Sequence, residues 1–258
     1  MAETVKLRVV ERGAGLPVVF LHGFPFNHHI WDQQIEALSR DFRVLAADLR
    51  GHGQSPAPEG VYTMDLLARD VLALLDDLGI ARAVWVGHSM GGYLTMAALR
   101  IAPERIAAIG LVATHPRPDG EARHAERLEQ AERVLKEGSV VMAGLMIDLL
   151  FAPTVDPRSE VAQRAFAMMR ETPPMGVAGS LRGMAERPDS METLRNADVP
   201  AVVIAGADDQ LATVDMMRRM ADVMPHAEFV TIPGAGHMLM IEQPEALTAA
   251  LRAFLSGL

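Results

Sequence analysis

Ala83-Val84-Trp85-Val86-Gly87-His88-Ser89-Met90-Gly91-Gly92 passes from a short apolar run through a turn into Tyr93-Leu94-Thr95-Met96-Ala97-Ala98-Leu99. The first part, rich in β-formers, predicts a buried strand, and the last predicts a helix that Pro103 stops. Between them the chain reverses within a few residues. Such a turn strains its central residue and crowds the positions two either side, where Gly87 and Gly91 have no Cβ to clash. Ser89 is thereby pushed out at the tip. The Met90 N–H, at a helix N-terminus, points where negative charge would develop if the Ser89 hydroxyl attacked a carbonyl. A serine that merely caps the next helix is the plainer alternative. The two part company over whether a base and an acid stand elsewhere in the chain.

On the N-terminal side, Val5–Val10 alternates as an edge strand does, Gly13-Ala14-Gly15 turns, and Pro17–Leu21 predicts a buried strand ending at His22-Gly23-Phe24-Pro25. Asn27–Ser39 predicts a helix with apolar Ile30, Trp31, Ile35 and Leu38, and Phe42–Ala47 the next strand. Its end runs into Asp48-Leu49-Arg50-Gly51-His52-Gly53-Gln54-Ser55. Asp48, Arg50, His52 and Ser55 could pass for a second active site, but turn chemistry and charged hydrogen bonds account for such a loop, and a brace is expected. His28 and His29 point in different directions on a helix, so a solvated pair is expected and no shared metal site. Met64–Leu78 predicts an amphipathic helix and Ile106–Val112 another buried strand. Strands alternating with helices predict a parallel, doubly wound sheet with its ligand site outside the carboxyl ends of the strands, where Phe24, Asp48 and Ser89 fall.

From about Thr114 to Asp198 the strand signal vanishes. Asp119–Lys136 predicts a charged helix with Ala125, Leu128, Ala131 and Leu135 on one face, Ser139–Phe151 a nearly all-apolar one, and Glu160–Arg170 and Val177–Glu186 two more, with prolines between. The sheet pattern resumes at Pro200–Ala205 and continues into Gly206-Ala207-Asp208-Asp209. Glu228–Ile232 predicts the last strand, followed by Pro233-Gly234-Ala235-Gly236-His237-Met238 and a helix from Pro244 to Leu255.

Together these blocks resemble the α/β-hydrolase family over essentially the whole chain, most weakly across the helical segment. The resemblance implies an α/β fold: a doubly wound, mostly parallel sheet with a helical cap inserted after the sixth strand. Residues 1–113 and 199–258 would form the core domain and 114–198 the cap. It also implies the chain order of a triad, with Ser89 as nucleophile, an aspartate next and His237 as base. The family's acid stands three residues after the glycine, which selects Asp209, with Asp208 one position away. The family's frequent proline beyond the acid is replaced here by Gln210-Leu211-Ala212-Thr213. The His22-Gly23 loop would supply the second oxyanion N–H, that of Phe24, beside Met90. Small carboxylesterases, lactone hydrolases such as the 3-oxoadipate enol-lactonases, and cofactor-free perhydrolases are similar. Haloalkane dehalogenases and epoxide hydrolases of this fold carry an aspartate where this chain has Ser89. The expectation is therefore a carboxylic ester hydrolase acting on small, largely apolar esters or lactones, with no cofactor and no metal. The alternative from another class is a small-molecule receptor built on the same fold.

Composition bounds the partners. A net charge of −9 and a pI near 5.5 argue against nucleic acid or anionic membranes as partners, and 50% hydrophobic residues suffice for a large core. Zero cysteines excludes disulfides and thiolate metal sites. Met1-Ala2-Glu3-Thr4 shows no basic flank or apolar run of an export signal, so a cytoplasmic location is expected. Val140–Ala152, broken by Asp148, falls short of the roughly 20 residues a membrane span needs. Within that segment Met142, Leu145, Met146 and Leu149 recur at helical spacing, with Val141, Ile147 and Leu150 opposite. Met142 and Met146 are expected to wall the pocket above Ser89 with adaptable apolar side chains.

Overall fold

The computed structural model describes residues 3–258; Met1 and Ala2, the start of the segment read for an export signal, lie outside the described residues. The core is a sheet of seven strands: β1 (Val9–Arg12), β2 (Pro17–Leu21), β3 (Arg43–Ala47), β4 (Ala83–His88), β5 (Ile106–Val112), β6 (Ala201–Gly206) and β7 (Ala227–Ile232), in the spatial order β1-β3-β2-β4-β5-β6-β7. All pairings are parallel except β1 on β3. Side chains alternate across the sheet with period two, as pleating requires. Val19, Leu21, Leu45 and Trp85 pack on one face beneath α2 (Met64–Asp77), α3 (Met90–Ile101) and later α9 (Val214–Ala221). Val18, Phe20, Val44 and Ala46 pack on the other beneath α1 (Asp32–Leu38) and α11 (Pro244–Ser256). With both faces covered, the central strands read as continuous apolar runs.

β1 lies further along the chain than the Val5–Val10 alternation predicts. Only residues 9–12 have partners on β3, with Val9 opposite Ala47 and Arg12 opposite Val44. The residues before them run past the end of β3, where side chains take their N–H groups: Val5 donates to Asp70 at 2.9 Å and Arg8 to Ser55 at 2.8 Å. Because β1 is the sole strand ahead of the parallel set, the helical insertion follows the fifth strand and not the sixth. The expected helix from Asn27 is also divided. Asn27 caps a 3-10 turn at His28–Trp31, and α1 begins at Asp32.

Between β5 and β6 the chain runs through α4 (Glu121–Glu137), α5 (Val140–Leu150), α6 (Glu160–Glu171), α7 (Pro174–Ala185) and α8 (Met191–Arg195). α7 sits flush on the loop from Gly51 to Tyr62, because a Cβ at Gly176 or Gly183 would run into the backbone of Gly51 or Tyr62. Thr172 ties the same region to the strand-end loops by donating to the Pro25 carbonyl at 2.7 Å. The buried face of α4 is not the expected Ala125–Leu128–Ala131–Leu135 row but Arg127, Ala131 and Val134, while Leu128 and Leu135 are exposed. Ion pairing of Arg127 turns the helix, as described below. α5 is likewise not buried all round: Met142, Ala143 and Leu150 are buried, whereas Leu145 and Leu149 are exposed. After β6 come α9, β7, the short α10 (Leu239–Glu242) and α11. Among the described residues no helix is long and apolar enough to cross a membrane.

Candidate active site

Ser89 lies between the C-terminal end of β4 and the first residue of α3 with φ +50° and ψ −112°. A non-glycine residue in that region is strained, and strain of this kind persists only where the surroundings over-determine it. Here they do. A Cβ at Gly87 would collide with the Gly91 carbonyl, and one at Gly91 with the Leu21 carbonyl. The Ser89 side chain makes no capping bond to α3. The capping alternative thus lacks its hydrogen bond, and Ser89 lines a cavity.

His237 borders that cavity on the loop between β7 and α10, and its Nδ1 lies 2.9 Å from Asp209 Oδ2. Asp209 is buried at the end of β6, whereas Asp208 is exposed. The other Asp209 oxygen accepts the N–H groups of Leu211 and Ala212 at 2.7 and 2.9 Å. Burial by itself would raise the Asp209 pKa; His237 and these two N–H groups outweigh it and hold the carboxyl below its ordinary value. Without a proline in Gln210–Thr213, the backbone N–H groups of Leu211 and Ala212 are available to hold Asp209. Glu242 of α10 holds the histidine loop from behind, accepting from Gly236 at 3.0 Å and Met238 at 3.2 Å, and from Ala152 at 2.8 Å just beyond α5. Nothing in the sequence patterns marked that residue.

The Gly23–Phe24 turn is fixed by His22. Its Nε2 accepts the Leu49 N–H at 2.9 Å, so Nδ1 carries the proton and donates to the Gly23 carbonyl, also at 2.9 Å. Neither the Phe24 nor the Met90 N–H is taken by another group among the described residues. The Asp48–Ser55 block is a brace, as expected. Asp48 accepts from His28 and Gln54, Ser55 donates to the Asp48 carbonyl at 2.6 Å, and Arg50 grips Asp70 through two bonds of 2.7 and 2.9 Å. The expected solvated histidine pair is corrected in one half. His29 is exposed beside Asp32, but His28 is buried with its Nδ1 2.6 Å from Asp48. The pull comes from the Asp48 carboxylate, held down to about 2 although burial opposes it. Among the described residues no group of His, Asp and Glu could hold a metal ion.

Burial gives these histidines a consequence for stability. It pushes His22 down to about 4 and His52 to about 3, and His88 well below the ordinary 6.5. The unfolded chain takes up these protons near pH 6.5, whereas folded His22 does so only near 4 and folded His52 only near 3, so the unfolded state binds more protons across that window. Stability is therefore full above pH 6.5 and falls as pH drops toward 4, by on the order of 2 kcal/mol at pH 5 for His22 alone. Urea midpoints at pH 7 and pH 5 should show this loss while most carboxylates remain ionised. Equal midpoints would contradict it.

The cavity measures about 310 Å³. Phe24, Ser89 and His237 line it, together with the apolar Met142, Met146, Leu149, Leu211 and Ala212. The lining also includes Tyr93, His115, Asp119, Arg123 and Arg127, none of which the patterns singled out. A wider groove of about 480 Å³ lies between α1 and α11, but Ser89, Asp209 and His237 do not border it.

A family model described as the alpha/beta hydrolase fold matches residues 17–244. Among solved structures the chain is similar to a thermophilic esterase from Thermogutta terrifontis, at 39% identity and a TM-score of 0.96 over 98% of this chain and 94% of that one. It is also similar to the enol-lactonase from Burkholderia xenovorans LB400, at 30% identity and a TM-score of 0.90 over 98% and 97%. A sequence relative, epoxide hydrolase A of Mycobacterium tuberculosis H37Rv, is 33% identical over 98% of this chain and 95% of its own length.

Proposed function

Because this chain belongs to the α/β-hydrolase fold family, we propose that it is a serine hydrolase cleaving small carboxylic esters through Ser89, His237 and Asp209. The observation that carries this reading is the strained Ser89 facing a cavity also bordered by a histidine that is hydrogen-bonded to a buried aspartate. In it, His237 takes the hydroxyl proton as Ser89 Oγ bonds to the acyl carbon, and Asp209 holds the imidazole tautomer. The N–H groups of Phe24 and Met90 bind the oxyanion. Collapse expels the alcohol, which leaves with the proton from His237, and water then hydrolyses the acyl-enzyme by the same route. Residues 114–198 act in this reading as a cap that shapes the pocket and excludes water. A lactone substrate is the second reading, favoured by the enol-lactonase similarity; transfer of the acyl group to peroxide would use the same groups. Epoxide opening of the relative's kind is disfavoured, since the tip of the elbow holds a serine and no carboxylate.

Multiple turnover of p-nitrophenyl acetate tests the reading. Binding of such esters without turnover would favour a receptor. A further expectation concerns Met142 and Met146, which border the cavity. Truncating Met146 to Ala should shift kcat/KM between short and long acyl esters by about 1–3 kcal/mol, the worth of a methylene-scale change in an apolar pocket. Met142, only 2% exposed, should in addition cost roughly 2–5 kcal/mol of stability when truncated. A p-nitrophenyl ester series run beside thermal melts reads both, and an unchanged chain-length profile in both variants would retire the pocket role.

A further inference from the structure

The polar part of the cavity lining is ionic and unbalanced. Asp119 bonds Arg127 through Nε at 2.5 Å on one oxygen and Arg187 at 2.8 Å on the other. All three side chains are at least nine-tenths buried. Two guanidiniums against one carboxylate leave a net positive charge inside the protein, which is costly unless an anion meets it. Among the described residues no further carboxylate pairs with either guanidinium. Asp119 is the sole carboxylate among the described residues that borders the cavity, and Glu126 is spent on Arg123 at the surface, 2.6 Å away. His115 stays neutral, its pKa pushed down to about 4 by burial first and by Arg187 next. Its Nε2 meets the Tyr93 hydroxyl at 3.0 Å, while its Nδ1 is buried without a partner. Arg127 spends Nε on Asp119 and one terminal nitrogen on the Met184 sulfur at 3.7 Å; the other has no protein acceptor among the described residues. This guanidinium borders the same cavity as Ser89.

We propose that Arg127, assisted by Arg123, forms a carboxylate-binding subsite in this cavity, so that the substrate is a short ester or lactone carrying a free carboxylate. The subsite rests on the ester-hydrolase reading above for the reaction but not for binding. The planar fork of a guanidinium suits a carboxylate, and Asp119 fixes its orientation before substrate arrives. The apolar wall of Met142 and Met146 then takes the carbon chain between the two polar ends. A cavity of 310 Å³ is at the small end of ligand sites, which limits that chain to a few methylenes.

The test compares monomethyl glutarate, an ionised half-ester, with methyl hexanoate, a neutral ester of similar length. The wild type should prefer the half-ester in kcat/KM by at least roughly tenfold. Arg127→Gln should lower kcat/KM for the half-ester by roughly 10- to 100-fold, the worth of a lost charged hydrogen bond, mostly through KM, and change that for the neutral ester by less than about threefold. If Arg127→Gln melts early, Arg123→Gln, one turn away on the same face and half exposed, should reduce the preference in the same direction. Calorimetric titration of glutarate into Ser89→Ala supplies a readout free of turnover. Binding there that Arg127→Gln removes supports the subsite even if no ester is cleaved, in which case only the hydrolase reading falls. Equal handling of the two esters, a preference that survives both arginine variants, or no glutarate binding would overturn the subsite, while turnover dependent on Ser89 would leave the hydrolase reading standing.

Discussion

Ser89→Ala is expected to end covalent labelling by an organophosphonate and to lower ester turnover by at least about 10⁴-fold, with folding unchanged. The loss is large because the hydroxyl is the only group asked to form a bond to substrate. What remains is the rate that binding and the oxyanion N–H groups sustain unaided. Folding should be indifferent for reasons visible in the site. The hydroxyl caps nothing, and alanine at φ +50° is no more strained than the serine it replaces. Intact-mass spectrometry after treatment with the phosphonate reads the first outcome and a thermal melt the second. Of the other serines, Ser55 is the one a reader of the Asp48 block would suspect. Its oxygen accepts from Arg8 and donates to the Asp48 carbonyl, so it is committed twice over. A mass shift that persists in Ser89→Ala and maps to any other serine would defeat the assignment of the nucleophile.

What could be read from the residues is what the backbone enforces locally. The turn at Gly87–Gly91 is legible because close approach of carbonyls at both glycines leaves no room for another residue. The strands of the parallel sheet are legible because burial on both faces makes them continuous apolar runs. The choice between Asp208 and Asp209 was open in the sequence and is fixed by the chain's exit from β6, which turns one side chain to solvent and the other inward. The rest depended on partners far away in the chain. β1 slides because Ser55 and Asp70 take the N–H groups of residues 8 and 5. His28 is drawn inward by Asp48, twenty positions on. α4 presents Arg127 and not Leu128 because Asp119 and Met184 receive the guanidinium, a preference that a hydrophobic count along the helix inverts. Glu242 went unnoticed because its role is to accept backbone N–H groups of a neighbouring loop, and any carboxylate on an exposed-looking turn reads the same way.

Asp209→Asn should reduce kcat by roughly 10²- to 10⁴-fold, whereas Asp208→Asn should change it by less than about twofold. The asymmetry follows from which atoms the carboxylate serves. One oxygen of Asp209 is claimed by the N–H groups of Leu211 and Ala212, and an asparagine must keep its carbonyl oxygen there. Its amide nitrogen then faces His237 Nδ1, 2.9 Å away in the native pair, and donates to it. The imidazole is forced into the tautomer with its proton on Nε2, the atom that has to receive the Ser89 proton. The geometry survives and the base does not. In the proposed mechanism, loss of the negative charge also removes the stabilisation of the imidazolium that would form as Ser89 attacks. Asp208 is exposed, and its N–H, bonded to the Ala235 carbonyl at 2.9 Å, is untouched by a change of side chain. Steady-state kcat on p-nitrophenyl acetate for the two variants, with melts to show that each is folded, decides the matter. A larger loss in Asp208→Asn, or equal small losses in both, would mean that His237 is oriented by some other group.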